Sequence, residues 1–178
     1  APTFPERLDT PTEVETPGIE TCEALAEFLG IDLAATSKAM PVVVDAEVVL
    51  ALVRGDDRLD EPKLATIVGG DVRPARVEEI REAFGADPGS LGPVRFSGRI
   101  VLDETLRDGQ YVAGANRTGY HLRGVEHGRD FEAELADIRV PKEGDTCPQC
   151  GGALVFRTAI EVGHIFKLGT YYSVPLDA

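Results

Sequence analysis

Two valine-rich runs, Val42 to Val44 and Glu47 to Val53, are separated only by Asp45-Ala46. β-Branched residues favour extended backbone, and a two-residue connection can join antiparallel strands but is far too short for a parallel crossover. The pair predicts a β-hairpin with a buried face, and the rest of the chain has to cover it. Its far end, Arg54-Gly55-Asp56-Asp57, reads as a turn; a cell-adhesion role for Arg-Gly-Asp is the alternative, disfavoured by its place at a strand end.

The flanking segments supply the cover. Thr21 can cap a helix whose Cys22, Leu25, Phe28 and Leu29 share one face and which Gly30 stops, with a helical turn from Leu33 to Ser37 after it. Asp60 can cap a helix through Lys63, Leu64 and Ile67, and Val77, Ile80 and Phe84 repeat at helical spacing before Gly85. Strands are expected at Val72 to Ala75, Ile100 to Leu102, Tyr111 to Ala113, Tyr120 to Val125 and Asp137 to Val140, with strand-like runs at Ala153 to Phe156 and Ile160 to Leu168. Residues 1–18 hold four of the twelve prolines and no apolar period, so they read as an extended linker. Strands outnumber helices and most connections are short. The expected fold is α+β, a mixed, largely antiparallel, barrel-like sheet flanked by helices.

A chain of 178 residues with 43% apolar content can bury a real core in one domain. Eighteen basic against 31 acidic residues leave a formal charge of −13, which argues against a general electrostatic grip on nucleic acid. Any RNA contact has to be local. No apolar run approaches the roughly 20 residues of a membrane span, and the start of the chain lacks the layout of a signal peptide, so no membrane partner is expected and the location reads as cytoplasmic.

Gly89-Ser90-Leu91-Gly92-Pro93 is the stretch with most chemical promise. Glycines and prolines at this density give either an ordinary turn or a rigid loop whose backbone N–H groups point outward together and hold an anion or a polarised carbonyl. The loop follows a helix instead of starting one, which excludes the phosphate loops that need a helix N-terminus after the glycines. A hydrolytic triad of Ser90, His121 and Asp103 is permitted by composition only. Lys38, just before the first valine-rich run, is either a solvated charge or a phosphate contact. Cys147-Pro148-Gln149-Cys150 has the spacing of half a zinc knuckle, but no second pair of ligands is evident, so a tight turn with its thiols close together, with or without metal, is expected ahead of a complete four-ligand site, and a small zinc-supported binding module is the alternative that rests on Cys147 and Cys150. His127 reads as a surface residue and His164 as a core one.

Taken in order, the segments resemble one family. Glu23 to Ile31, Leu50 to Asp56, Gly89 to Pro93, Val112 to Asn116, Gly119-Tyr120-His121, Gly128 to Phe131, Cys147 to Gly152 and Ile160 to Thr170 are similar to the editing insertion of bacterial-type prolyl-tRNA synthetase, itself related to free-standing YbaK-type deacylases. The resemblance implies hydrolysis of alanine mischarged onto the tRNA for proline, because a synthetic pocket built for the larger amino acid cannot strongly reject the smaller one. It implies that Gly89, Ser90, Leu91 and Gly92 present backbone N–H groups to the ester carbonyl. It also implies that Lys38 meets the terminal nucleotide phosphate and that Asp103, Asn116 and His121 line the pocket for the amino acid and the sugar. Water, assisted by the substrate's own hydroxyl, would attack. No cofactor is implied for the editing domain, ATP and magnesium belonging to the parent synthetase alone.

On this resemblance residues 1–18 are a linker from a synthetase core, 19–156 the editing domain, and 157–178 a return segment to that core, the chain being an excised piece whose partners are alanine-charged tRNA and the remaining synthetase. A non-catalytic insert that positions tRNA or stabilises the synthetase is the competing reading. Two departures bear on the pocket's edge: Ala39 stands where the family usually has threonine, and Glu126-His127 where it usually has Asn-Trp.

Overall fold

The computed structural model describes residues 7–163 and 174. They fall into two compact units, one ending at Val140 and the other starting at Pro141. The first carries all the named strands and helices. In order these are β1 (Thr12–Glu15), α1 (Cys22–Leu29), a 3-10 turn (Leu33–Ala35), β2 (Ser37–Val44), β3 (Glu47–Arg54), α2 (Glu61–Val68), β4 (Arg73–Pro74) and α3 (Val77–Phe84). There follow β5 (Ile100–Asp103), a second 3-10 turn (Glu104–Leu106), β6 (Tyr111–Gly114), β7 (Tyr120–Val125) and β8 (Glu134–Ala136).

The hairpin forms as the valine pattern requires. β2 and β3 pair antiparallel from Ser37↔Arg54 to Val44↔Glu47, and Asp45 and Ala46 turn the chain with φ of 48° and 71°. Both central residues at positive φ mark the type I′ turn, whose twist matches that of the strands. Leu50, Leu52 and Val53 are fully buried. β5 then adds in parallel to β3, β8 in parallel to β5, and β4 antiparallel to β2, giving the order β4-β2-β3-β5-β8. A second sheet, β1-β7-β6, is antiparallel throughout. A parallel bridge between Thr36 and Val112 links the start of β2 to β6.

The helices cover these sheets as their caps dictate. Thr21 accepts from the Ala24 N–H at the start of α1, and Gly30 closes it in the left-handed region at φ 65°. Asp60 does the same for α2 through the Lys63 N–H. From α3, Ile80 and Phe84 enter the larger core, where Phe84 stacks on Phe96 at 4.3 Å.

Several expectations change. Residues 12–15 form β1, because Thr12 to Glu15 match Arg123 to Tyr120 in register; a strand on the edge of a sheet needs hydrogen bonds more than an apolar period. β2 begins at Ser37, so the first helical turn stops at Ala35 and Lys38 lies within a strand. Phe28 is 56% exposed, not on the buried face of α1. The eighth strand runs over 134–136; in the stretch expected as a strand, the Ile138 N–H goes to the Asp103 carboxylate and Arg139 makes a single bridge to Leu59. In the second unit Ala153 makes one bridge, to Thr146, while residues 160–163 are not in a strand and the rest of that expected run, with His164, lies outside the described residues.

An alanine at positive φ is strained by its Cβ, so Ala46→Gly is expected to raise stability by about 0.5–1 kcal/mol. Urea denaturation checks this; an unchanged or lower midpoint would mean that the turn carries no such strain.

Candidate functional site

The two glycines that fix the site face each other. A Cβ on Gly92 would lie 2.0 Å from the Gly114 carbonyl oxygen, and one on Gly114 would lie 2.2 Å from the Leu91 carbonyl oxygen. Only bare backbone fits there. The loop after α3 therefore docks directly on the end of β6, where the Gly114 N–H donates to Leu91 O at 3.1 Å.

A cavity of about 320 Å³ opens beside this contact, walled by α1 residues Cys22 and Leu25, by Ser37 to Met40 of β2, by Gly89 and Leu91, and by His121 of β7. Lys38, Gly89, Leu91 and His121 of the expected site thus share one cavity. Asp103, Asn116, Ser90 and Gly92 do not line it.

Each of those four is held elsewhere. Asp103 is 1% exposed and accepts from the Thr105 N–H and hydroxyl at 3.0 and 2.7 Å and from the Ile138 N–H at 3.0 Å. It caps a turn and joins β5 to the segment after β8. Asn116 turns its side chain to the loop backbone, bonding to Gly92 and Val94. The Ser90 hydroxyl accepts from the Gly119 N–H at 3.0 Å. The Gly92 N–H donates to Asn116 Oδ1 at 2.8 Å. The Ser90, His121 and Asp103 triad accordingly has no geometric support, as each member bonds to other groups.

His121 is 5% exposed. Its Nδ1 lies 2.6 Å from the Thr16 hydroxyl, and the Gly89 carbonyl accepts from the ring. Burial pushes its pKa below the ordinary 6.5, with the Gly89 contact opposing. The imidazole is therefore neutral near pH 7, with Thr16 donating to Nδ1 and the proton on Nε2 directed to Gly89. Thr16 itself is fully buried. Sequence reasoning missed it because it sits in the stretch that reads as linker.

Charge in the cavity wall comes from Glu20, Glu23 and Lys38. Lys38 Nζ donates to the Asp57 carbonyl at 3.2 Å, which anchors the ammonium as the one fixed positive charge among the described lining residues. Cys22 also lines the cavity; burial, before any other influence, raises its thiol pKa, so it stays protonated and unreactive. Helical spacing placed Cys22 on an inner face, but nothing in the sequence says that the face borders a cavity.

Cys147 and Cys150 lie in the second unit. The backbone N–H groups of Cys150 and Gln149, then the Cys150 thiol, lower the Cys147 pKa. Among the described residues no group of three or more His, Cys, Asp or Glu side chains is arranged to hold a metal.

Two outcomes follow from the buried polar groups. Asp103→Ala strands two N–H donors and is expected to cost about 2–3 kcal/mol in denaturant unfolding; full stability would return Asp103 to the list of pocket groups. For His121, a pKa lower in the folded than in the unfolded chain means that the unfolded chain binds the proton first. Folding stability should therefore fall as pH drops below about 6.5 and level off below the folded pKa. NMR titration of the imidazole checks this, and a midpoint at or above 6.5 would contradict it.

The model of the Aminoacyl-tRNA editing domain family matches residues 16–131. A Proline--tRNA ligase of Streptococcus equi subsp. equi (strain 4047) is 48% identical over 175 residues, which cover 96% of this chain and 28% of that ligase. The ligase of Streptococcus pyogenes serotype M1 is 47% identical over 174 residues, with the same coverage. This chain thus spans little more than a quarter of the length of the curated relatives it matches. Among solved structures, a crystal structure described as a candidate trans-editing enzyme for prolyl tRNA synthetase superposes with a TM-score of 0.62 at 26% identity, over 74% of this chain and 87% of that one. No helix among the described residues is long and apolar enough to cross a membrane. With the family match running from Thr16 to Phe131, over β2 to β7 and every residue that lines the cavity, this chain belongs to the aminoacyl-tRNA editing domain family.

Proposed function

We propose that this domain hydrolyses the ester of alanine mischarged onto the tRNA for proline, acting with a prolyl-tRNA synthetase. The observation that carries the reading is the state of the Gly89 to Gly92 amides. Ser90 N–H points to Asp87 O at 3.4 Å and Gly92 N–H is held by Asn116. The N–H groups of Gly89 and Leu91 have no acceptor among the described residues, and these are the two loop residues that line the cavity. Preorganised amides without a partner suit the oxygen of an ester carbonyl as it becomes an oxyanion.

The other walls agree with an aminoacyl ester as ligand. Lys38, its ammonium anchored in the cavity wall, is the cation available to a terminal nucleotide phosphate, so a chain of net charge −13 needs only one local cation for this contact. Leu25, Met40 and Leu91 bound a small apolar space. His121, neutral and held on both sides, is a wall and not a proton carrier, which leaves attack to water assisted by the substrate's own hydroxyl. The residues need no metal or cofactor for this; ATP and magnesium would serve only the synthetic reaction of the parent ligase. The partners are the charged tRNA and the rest of the synthetase, and the compartment is the cytoplasm. A non-catalytic insert has no comparable observation in its favour.

Deacylation of alanine-charged and proline-charged tRNA for proline by this chain tests the reading. The parent is expected to release alanine and spare proline. Lys38→Ala should lower alanine release by at least about tenfold, as expected for loss of a charge-assisted phosphate contact, and His121→Ala should erode discrimination against proline. Parent activity that both variants retain would overturn the site; a parent that releases neither amino acid, alone or within its synthetase, would leave the insert as a scaffold.

A further inference from the structure

The Ser90–Leu91 peptide owes its orientation to a clamp of backbone and amide contacts. Asn116 has φ 52°, in the left-handed region. From there its side-chain oxygen accepts from the Gly92 N–H at 2.8 Å, and its Nδ2 donates to the carbonyls of Gly92 and Val94 at 3.0 and 2.9 Å. Its own backbone N–H donates to the Ser90 carbonyl at 2.9 Å. Both amide hydrogens and the oxygen are thus spent on the loop, which leaves the side chain unsuited to gripping a ligand.

These bonds decide where an amide points. A trans peptide holds its C=O and N–H in opposite directions, and the described chain contains no cis peptide. With the Ser90 carbonyl drawn to Asn116, the Leu91 N–H of the same peptide faces the other way. Leu91 lines the cavity and its N–H has no acceptor among the described residues. With the Leu91 carbonyl drawn to Gly114, the next N–H, on Gly92, turns to Asn116 instead. The clamp thus fixes the alternation of one amide directed away from it and one directed to it.

We propose that Asn116 is a positioning residue for the hydrolytic loop: its side chain holds Gly92 and Val94 so that the loop stays seated on its backbone N–H, which takes the Ser90 carbonyl and leaves the Leu91 N–H facing the ester oxygen. This rests on the deacylase reading and replaces the expected contact between Asn116 and the substrate. Asn116 touches neither water nor ester; it acts through Leu91.

The test uses Asn116→Gly, which keeps the left-handed backbone and the N–H to Ser90 and removes only the side chain, beside Asn116→Asp, which keeps the acceptor for Gly92 and loses both donors. On alanine-charged tRNA, kcat for Asn116→Gly is expected to fall at least about tenfold, short of the 100- to 1,000-fold typical of deleting an oxyanion donor, with KM within about threefold of the parent. Amide exchange at Gly92 should quicken in Asn116→Gly and stay near parental in Asn116→Asp, while the Leu91 amide shift should move in both. A raised KM with unchanged kcat would make Asn116 a substrate contact and overturn the proposal, as would parental kcat and parental exchange. If the parent itself is inactive, the deacylase reading fails separately, and the Gly92 and Leu91 amide signals still decide whether the clamp exists.

Discussion

The approach of two bare backbones, Gly92 on Gly114, is the contact on which the site depends. With a carbonyl oxygen 2.0 Å from where a side chain on Gly92 would begin, no other residue fits without moving the loop or the strand. The contact lets the end of β6 hydrogen-bond the loop as though the loop were a further strand, through Gly114 to Leu91 and Asn116 to Ser90. Neighbouring register does the rest. Gly114 pairs with His121 across β6 and β7, so the strand that receives the loop also brings the imidazole against Gly89. Helix α1 and the start of β2 close the opposite wall.

Local features of this arrangement were legible in the sequence because their causes are local. A cap is a side chain three residues from an amide, and a hairpin is two strand-forming runs with a short gap, so Thr21, Asp60, Gly30 and the Asp45-Ala46 turn could be read directly. Parallel pairing of β3 with β5 joins segments some fifty positions apart and leaves no trace in either. β1 shows the same limit in another form. Its pairing with β7 draws on backbone groups that every residue carries, so a proline-rich stretch without an apolar pattern can still be a strand.

The candidate site divides along the same line. Residue type suggested a loop for an oxyanion, a cation and a histidine, and Lys38, Gly89, Leu91 and His121 do border one cavity. Which polar groups remain free is a question of hydrogen-bond partners that the sequence does not record. Asp103 and Asn116 carry the chemistry expected of pocket residues, yet bury that chemistry in backbone contacts. Thr16, which orders the histidine, was hidden because its hydroxyl acquires meaning only once β1 is laid beside β7.

A polar group buried beside backbone donors is stabilised by being used up, and this sets how such a site can work. Ser90, His121 and Asp103 could each take part in nucleophilic catalysis if left unpaired, but each already serves a structural bond that would be expensive to break. On the proposed reading, the chemistry falls to the backbone itself, at the Gly89 and Leu91 amides that have no acceptor among the described residues. A reaction proposed to run on such amides makes small demands on reactive side chains and strict demands on peptide orientation. Sensitivity to substitution should then concentrate in the residues that have no reactive group, the glycines at 92 and 114, and in the asparagine whose groups are wholly engaged in holding them.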